Sequence, residues 1–144
     1  MDVLISKLDS IKACLNRILE EYDDDRTNLE NITKQDSIIL NIQRACELSI
    51  DIGNYIISKE KYRVPKVSRE IFEILEENSI IEDYLSINMQ KMTGFRNIAV
   101  HDYKSINISV VESIIVNNLE DFRIFINSIL KYMNGTRNFT DSAD

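Results

Sequence analysis

The chain has 144 residues, which is enough for one domain built around a single hydrophobic core. Its composition, 44% hydrophobic and 28% charged, is ordinary for a soluble globular protein, and no stretch reaches the roughly 18 consecutive apolar residues that a membrane span needs. The net charge of −7 argues against a nucleic-acid binder with a broad basic face, so contact with RNA would require a local basic site.

The first residues, MDVLISKLDSIKACLNRILEEYDDD, carry charges throughout, which predicts that no signal peptide is present and that the protein is cytoplasmic. Cys14 and Cys46 stand alone, without a CxxC pair or a His/Cys cluster. The sequence therefore predicts two buried, reduced thiols and neither a metal site nor another cofactor.

Helices are predicted throughout, because the chain has only 3 glycines and 1 proline and shows no alternating strand pattern. The first helix ends near Tyr22, and its apolar residues recur in steps of three and four. These residues are Leu4, Leu8, Ile11, Leu15, Ile18 and Tyr22. The acidic run from Asp23 to Asn28 is predicted to be a solvated loop.

A second helix is predicted from about Asp36 to Lys59, and Gly53 lies on its apolar face, where a glycine lets another helix approach closely. The other residues of that face are Ile39, Ile42, Cys46, Ile50 and Ile57. A basic connector with the only proline follows, and Ser68 is the predicted N-cap of a short third helix.

Two Ser-x-x-Glu patterns predict capping boxes at the starts of the last two helices. Ser79 and Glu82 would begin the fourth helix, which is expected to end near Val100, and Ser109 and Glu112 would begin the fifth. The apolar stripe of the fifth helix consists of Val111, Ile115, Leu119, Phe122, Ile126, Ile129 and Met133.

Asn134 and Gly135 are expected to stop the last helix. The sequence therefore predicts an all-α protein, an antiparallel bundle of four to five helices. A single domain would span residues 1–133, followed by a flexible tail over residues 134–144.

Polar residues with chemical potential gather in the stretch GFRNIAVHDYKS, where the predicted fourth helix ends. It holds Arg96, Tyr103 and the only histidine, His101. Arginine can clamp a phosphate and histidine can move a proton near neutral pH, a pair that suits metal-independent RNA cleavage by a 2′-hydroxyl. Such a reaction needs both an acid and a base, which a symmetric dimer could supply with two copies of His101. On spacing alone, a structural explanation is favoured: an arginine that caps helix carbonyls and a histidine that closes a turn would account for both residues.

The segment RNIAVHDY resembles the R-x(4)-H-x-Y motif of the HEPN superfamily, in its HepT-like branch. NIQRACELSIDIGNYII is similar to the second helix of that branch, and VPKVSREIFEILEENSIIEDYLSINMQKMTGFRNIAVHDY to its connector, short helix and motif helix. The resemblance implies an all-α homodimer of HEPN type that acts as a ribonuclease toxin, with RNA as substrate. It also implies an MNT-type nucleotidyltransferase antitoxin as partner, which adenylylates the motif tyrosine.

Carried over to this sequence, the resemblance makes Arg96 and His101 catalytic, Asn97 a supporting residue and Tyr103 the modified tyrosine, an O-AMP-tyrosine after transfer. Two functions remain open at this point. The complete Arg–His–Tyr set favours a ribonuclease toxin, whereas the acidic net charge favours a non-catalytic HEPN module that binds a nucleotidyltransferase or a nucleotide.

Overall fold

The computed structural model describes residues 2–143, and the side chains of residues 2–136. Within this range all regular structure is helical, which confirms the predicted all-α class. The elements are α1 (Asp2–Tyr22), α2 (Ile32–Glu60), α3 (Ser68–Glu77), α4 (Asp83–His101), α5 (Ile108–Ser113), a π-helical segment (Ile114–Asn118) and α6 (Leu119–Ala143). Short 3₁₀ turns occupy Arg26–Glu30 and Tyr103–Ser105. None of the helices described is long and apolar enough to cross a membrane.

The apolar stripes predicted for the first, second and last helices are all buried and form one core. α1 and α2 make the most extensive helix pair, because the short 3₁₀ turn between them folds one back along the other. Phe72 of α3 meets Phe125 of α6 edge to face, with ring centroids 6.0 Å apart. Burial of such rings is among the largest contributions to a helical core of this size.

α3 packs closely against α2 at Gly53, as the sequence predicts. A side-chain carbon built there would collide with Ile71 and touch Leu75, both on the buried face of α3. Any larger residue would push α3 away from α2, and α3 holds one of the candidate site residues described below.

The start predicted for the second helix is wrong by one turn, because α2 begins at Ile32 rather than near Asp36. Asn31 caps it, and its side-chain oxygen accepts the Lys34 N–H at 3.0 Å. Asparagine is as good a cap as serine, and this one satisfies a backbone donor in the first turn of α2.

Ser68 is not the N-cap predicted for α3; it is the first residue of that helix, and Val67 occupies the cap position with no side-chain bond. The hydroxyl of Ser68 is thus left for a contact with another helix. The capping box of Ser79 and Glu82 is also wrong: Ser79 adopts a left-handed conformation (φ 59°) and Glu82 takes the N-cap position of α4 without a capping bond.

The capping box predicted at Ser109 and Glu112 is replaced by a cap from Asn107, whose side chain accepts the Ser109 N–H at 2.8 Å. Glu112 instead forms an ion pair with Arg26 of the 3₁₀ turn. The Glu112 carboxylate, which the Ser-x-x-Glu pattern assigned to the start of the helix, therefore binds a residue far away in the sequence.

The stop predicted at Asn134 and Gly135 is wrong, since α6 continues through both to Ala143. Two weak helix formers cost only about 1 kcal/mol each, which an established helix can absorb. The predicted flexibility of the tail over 134–144 stays a prediction; the side chains from 137 onward, and residue 144 altogether, lie outside the described residues.

The π-helical segment explains how the last stripe stays buried along its whole length. Val111, Ile115 and Leu119 follow one another in two steps of four, which would carry the stripe about 80° around an α-helix. The wider π turn absorbs that excess. Asn118 of the same segment and Asn88 of α4 donate to the buried Asp121 carboxylate at 2.9 and 3.3 Å, which fastens α4 to α6.

Candidate active site

The site is built around the end of α4, where His101 is the last helical residue. The predicted end near Val100 is therefore confirmed to within one residue. The Asp102 N–H donates to the Ile98 carbonyl at 2.8 Å, and the Asp102 carboxylate accepts the Ser105 hydroxyl at 2.6 Å. The first bond ends α4, and the second, with the Ser105 N–H donating to the Asp102 carbonyl at 2.9 Å, holds the 3₁₀ turn that begins at Tyr103.

Arg96 projects from α4 toward α3, where its Nη2 donates to the Ser68 hydroxyl at 3.2 Å. Its Nε is buried and has no hydrogen-bond partner. Among the described residues no carboxylate lies within ion-pair distance of it. A buried donor on a permanent cation is costly to leave unpaired, so it calls for an explanation. An anionic ligand would supply the missing acceptor.

The guanidinium of Arg96 also lies near Cys46 of α2, whose thiol donates to the Met92 carbonyl at 3.6 Å. Burial raises the pKa of Cys46 to about 12, and the charge of Arg96 opposes that rise only in part. The thiol therefore stays protonated at neutral pH, as predicted for a buried, reduced cysteine, and it offers Arg96 no counter-charge. Cys14 is likewise free and buried.

His101 and Asn97 are exposed, in contrast to the half-buried Arg96. No hydrogen bond in the described part of the chain joins His101 to Arg96. Five residues along a helix turn a side chain by about 140°, so the two point away from each other within one chain. A single chain thus presents the Arg96 guanidinium and the His101 imidazole on different faces of α4 and does not join them into a pair.

Tyr103 lies just past the end of α4 and is 42% exposed, yet its hydroxyl donates to the Asp36 carboxylate of α2. Burial and this carboxylate raise the pKa of Tyr103 to about 12, so the phenol is protonated at neutral pH. With the contact between Cys46 and Met92, this bond shows that α2 and α4 run antiparallel. It also links the 3₁₀ turn Tyr103–Ser105, called the motif turn below, to the start of α2.

An exposed apolar stripe runs along the outer face of α4 and ends on the exposed His101. Its apolar members are Tyr84, Ile87 and Ile98, with exposures of 47%, 52% and 44%. Lys91, which is exposed, and Gly94 fall in the same series of steps, and a carbon built on Gly94 meets nothing within 4 Å. Exposed apolar side chains along one helix face, here with one lysine among them, are typical of a protein–protein contact.

The other end of α4 holds a groove of about 950 Å³ lined by Glu76, Glu82 and Asp83. Its acidic lining would repel the phosphates of RNA. The groove is therefore not assigned as the substrate site, although it is large enough. In the part of the chain described, no cluster of His, Cys, Asp and Glu residues could hold a metal ion.

The sequence matches the model of the family Ribonuclease HepT-like over residues 8–129. The chain belongs to this family. A curated HepT-like relative, the mRNA nuclease HepT of Shewanella oneidensis, is 44% identical over 128 residues, which are 89% of this chain and 96% of the relative.

Two solved structures of toxin–antitoxin pairs share the HepT-like fold. One, determined with AMP-PNP, contains a chain that is 42% identical, with a TM-score of 0.88 and coverage of 91% of this chain and 99% of that one. The other is the tri-AMPylated HEPN toxin of Shewanella oneidensis in complex with MNT antitoxin. It is also 42% identical, with a TM-score of 0.86 and coverage of 91% and 98%.

Two residues of the candidate site were not predicted from the sequence. They are Asp36, which contacts Tyr103, and Ser68, which contacts Arg96. Asp36 stands 67 residues from Tyr103, and Ser68 stands 28 residues from Arg96. No local pattern marks either one, since a lone Asp and a lone Ser at helix starts ordinarily indicate caps.

Proposed function

We propose that this protein is the metal-independent endoribonuclease toxin of a toxin–antitoxin pair. The main support is Arg96, a half-buried cation without a carboxylate partner in the described structure, on the same helix as the only histidine. Family membership and the relative that is named an mRNA nuclease agree with this reading.

In the proposed reaction, a ribose 2′-hydroxyl attacks the adjacent phosphorus and the 5′-oxygen leaves. His101 moves the proton, because it is exposed and can meet the RNA backbone. Arg96 stabilises the charge that develops on the phosphoryl oxygens through its unpaired donor. Asn97, exposed beside Arg96, supports phosphate binding.

We infer that the active form is a homodimer, because one His101 cannot serve as both acid and base at once. The apolar stripe on α4 leads to His101, so a second copy docked along that stripe would place its own motif next to the first. Gly94 leaves room there for close approach of the partner helix. Such a dimer also doubles the arginines at the site, which offsets the acidic net charge.

The dimer is testable by a charge placed in the stripe. Ile98→Asp should convert the dimer to monomers in sedimentation analysis, because an ionised carboxylate in an apolar contact is costly. Val64→Asp is the matched control, since Val64 is 82% exposed in the connector after α2. A protein that is monomeric without any substitution would contradict the composite site.

Control of the toxin is proposed to act through Tyr103. Tyr103 is half exposed and lies two residues from His101, within reach of a partner nucleotidyltransferase of the MNT type. Adenylylation would add a negative phosphate and a bulky base beside the site, which blocks RNA entry. The tri-AMPylated state of the Shewanella oneidensis toxin supports this assignment.

The deciding experiment is cleavage of RNA in EDTA by the purified protein, with detection of a 2′,3′-cyclic phosphate end. His101→Ala should abolish cleavage while helical circular dichroism persists. Asn107→Ala, a change in the connector after α4 that removes only the cap of α5, should keep it. A strict metal requirement, or full activity of His101→Ala, would rule the mechanism out and favour the non-catalytic HEPN module that binds a nucleotidyltransferase or nucleotide.

A further inference from the structure

The hydrogen bond between Tyr103 and Asp36 joins two surface residues that are 67 positions apart in the sequence. Asp36 is exposed and Tyr103 is half exposed, so a second protein can reach the pair without unfolding the bundle. Asp36 takes part in no other hydrogen bond or ion pair in the part of the chain described. Its carboxylate is therefore free to serve the tyrosine.

Tyr103 on its own would be a poor acceptor of a nucleotidyl group. Its hydroxyl keeps its proton at neutral pH, because burial and the neighbouring carboxylate hold its pKa near 12. A hydroxyl in that state attacks phosphorus well only if a base removes the proton as the new bond forms. The base must lie within hydrogen-bond distance of the oxygen, and Asp36 does.

We propose that Asp36 of the toxin itself orients the Tyr103 hydroxyl and accepts its proton during adenylylation. This inference rests on the proposed modification of Tyr103 and names the group that makes it chemically possible. The Tyr103 oxygen bonds to the α-phosphorus of ATP, the bond from that phosphorus to the β-phosphate oxygen breaks, and pyrophosphate leaves. The proton passes to Asp36 and then to water.

Adenylylation should also move Tyr103, because its contact with Asp36 changes. After transfer the Tyr103 oxygen has no proton to donate, and the new phosphodiester charge stands next to the Asp36 carboxylate. The bond between the motif turn and α2 is lost and a repulsion replaces it. The modified tyrosine therefore leaves α2 and moves toward the open side of the turn, where His101 is exposed.

The test is the initial rate of adenylyl transfer to the full chain, with ATP and the MNT antitoxin of the Shewanella oneidensis complex, read by peptide mass. Asp36→Asn keeps an acceptor for the Tyr103 hydroxyl but is no base. It should lower kcat about 100-fold and leave KM for the toxin chain unchanged. Asp36→Ala, which also loses the acceptor, should be slower still. Glu30→Gln removes one exposed carboxylate six residues away and serves as the matched control.

The pH dependence separates a base from a merely structural residue. Between pH 7 and 9 the rate of the unchanged chain should be flat. The rate of Asp36→Asn should rise about tenfold per pH unit, because hydroxide must then form the phenolate. A rate for Asp36→Asn within twofold of the unchanged chain, or above it, would overturn the proposal and place the base in the nucleotidyltransferase. A raised KM at constant kcat would also overturn it, by assigning Asp36 to partner docking. Absence of modification on Tyr103 in the unchanged chain would instead contradict the proposed function.

Discussion

Two arginines contact α3 in opposite electrostatic surroundings. Arg63 is 46% exposed and lies within 4 Å of three glutamates of α3, the nearest being Glu77 at 2.7 Å. Arg96 is half-buried, and among the described residues its one hydrogen bond goes to the uncharged hydroxyl of Ser68. The charge of Arg63 is compensated before any ligand arrives, whereas the charge of Arg96 is available to an anion. Whether an arginine can bind a phosphate therefore depends on the groups already bound to it, and not on the number of arginines in the chain.

The largest expected effect comes from removing each arginine in turn. Arg96→Ala should reduce RNA cleavage about 10²- to 10³-fold, the range typical of one lost oxyanion donor. Arg63→Ala should leave cleavage within twofold, because its guanidinium is occupied by the glutamates. Single-turnover cleavage with saturating RNA measures both. Equal losses in the two variants would show that bulk positive charge, and not the free donor of Arg96, drives the reaction.

A smaller effect should follow when Arg96 is given the carboxylate that Arg63 already has. Ser68→Asp puts an acid within reach of the Arg96 guanidinium and should lower cleavage about tenfold, because an ion pair competes with the substrate phosphate. The same acid sits in the first turn of α3, where it should raise the free energy of unfolding by about 0.5 kcal/mol.

Stability and activity thus move in opposite directions in Ser68→Asp, which a damaged fold cannot imitate. Ser68→Asn is the uncharged control and should retain more than half of the activity. Urea unfolding followed by circular dichroism, beside the cleavage assay, tests the pair. A Ser68→Asp protein that is both less stable and less active would contradict the charge argument.

The smallest effect concerns the paired arginine and appears only in stability. Hydrogen bonds from Arg63 hold the pKa of Glu77 below its ordinary value of 4.5. A lowered folded pKa adds stability above the ordinary value, and the gain is lost as the pH falls through the folded value. Glu77→Gln should therefore lower the melting temperature by a few degrees at most at pH 7, and the difference should vanish once the pH has fallen below the lowered pKa of Glu77. A difference that persists in acid would mean that packing, not charge, links these residues.

Much of the fold could be predicted from the sequence, because the buried residues of a helix recur every three or four positions. The stripes of α1, α2 and the last helix, and the close approach at Gly53, follow from spacing alone. Helix starts were harder: Asn31 begins α2 one turn before its apolar stripe does, and Asn107 caps α5 in place of Ser109.

The candidate site shows the same limit. Arg96, His101 and Tyr103 stand in one short motif, so the sequence could nominate them together. Their partners could not be nominated, because Ser68 and Asp36 lie on other helices and meet the motif only after folding. Periodicity records which face of a helix is buried; it does not record which side chain on the next helix will stand opposite.

The π-helical segment sets a rule for chain length in the long helical element from α5 to α6. A regular α-helix would bring Val111 and Leu119 onto one face with one residue fewer between them, since seven residues complete almost two turns. A one-residue deletion within Ile114–Asn118 should therefore leave every later side chain facing as before. Elsewhere along α6, such a deletion would turn the residues that follow by about 100° and bring the core side of the helix to the surface. The segment is the joint at which this helix can change its length and keep its buried face.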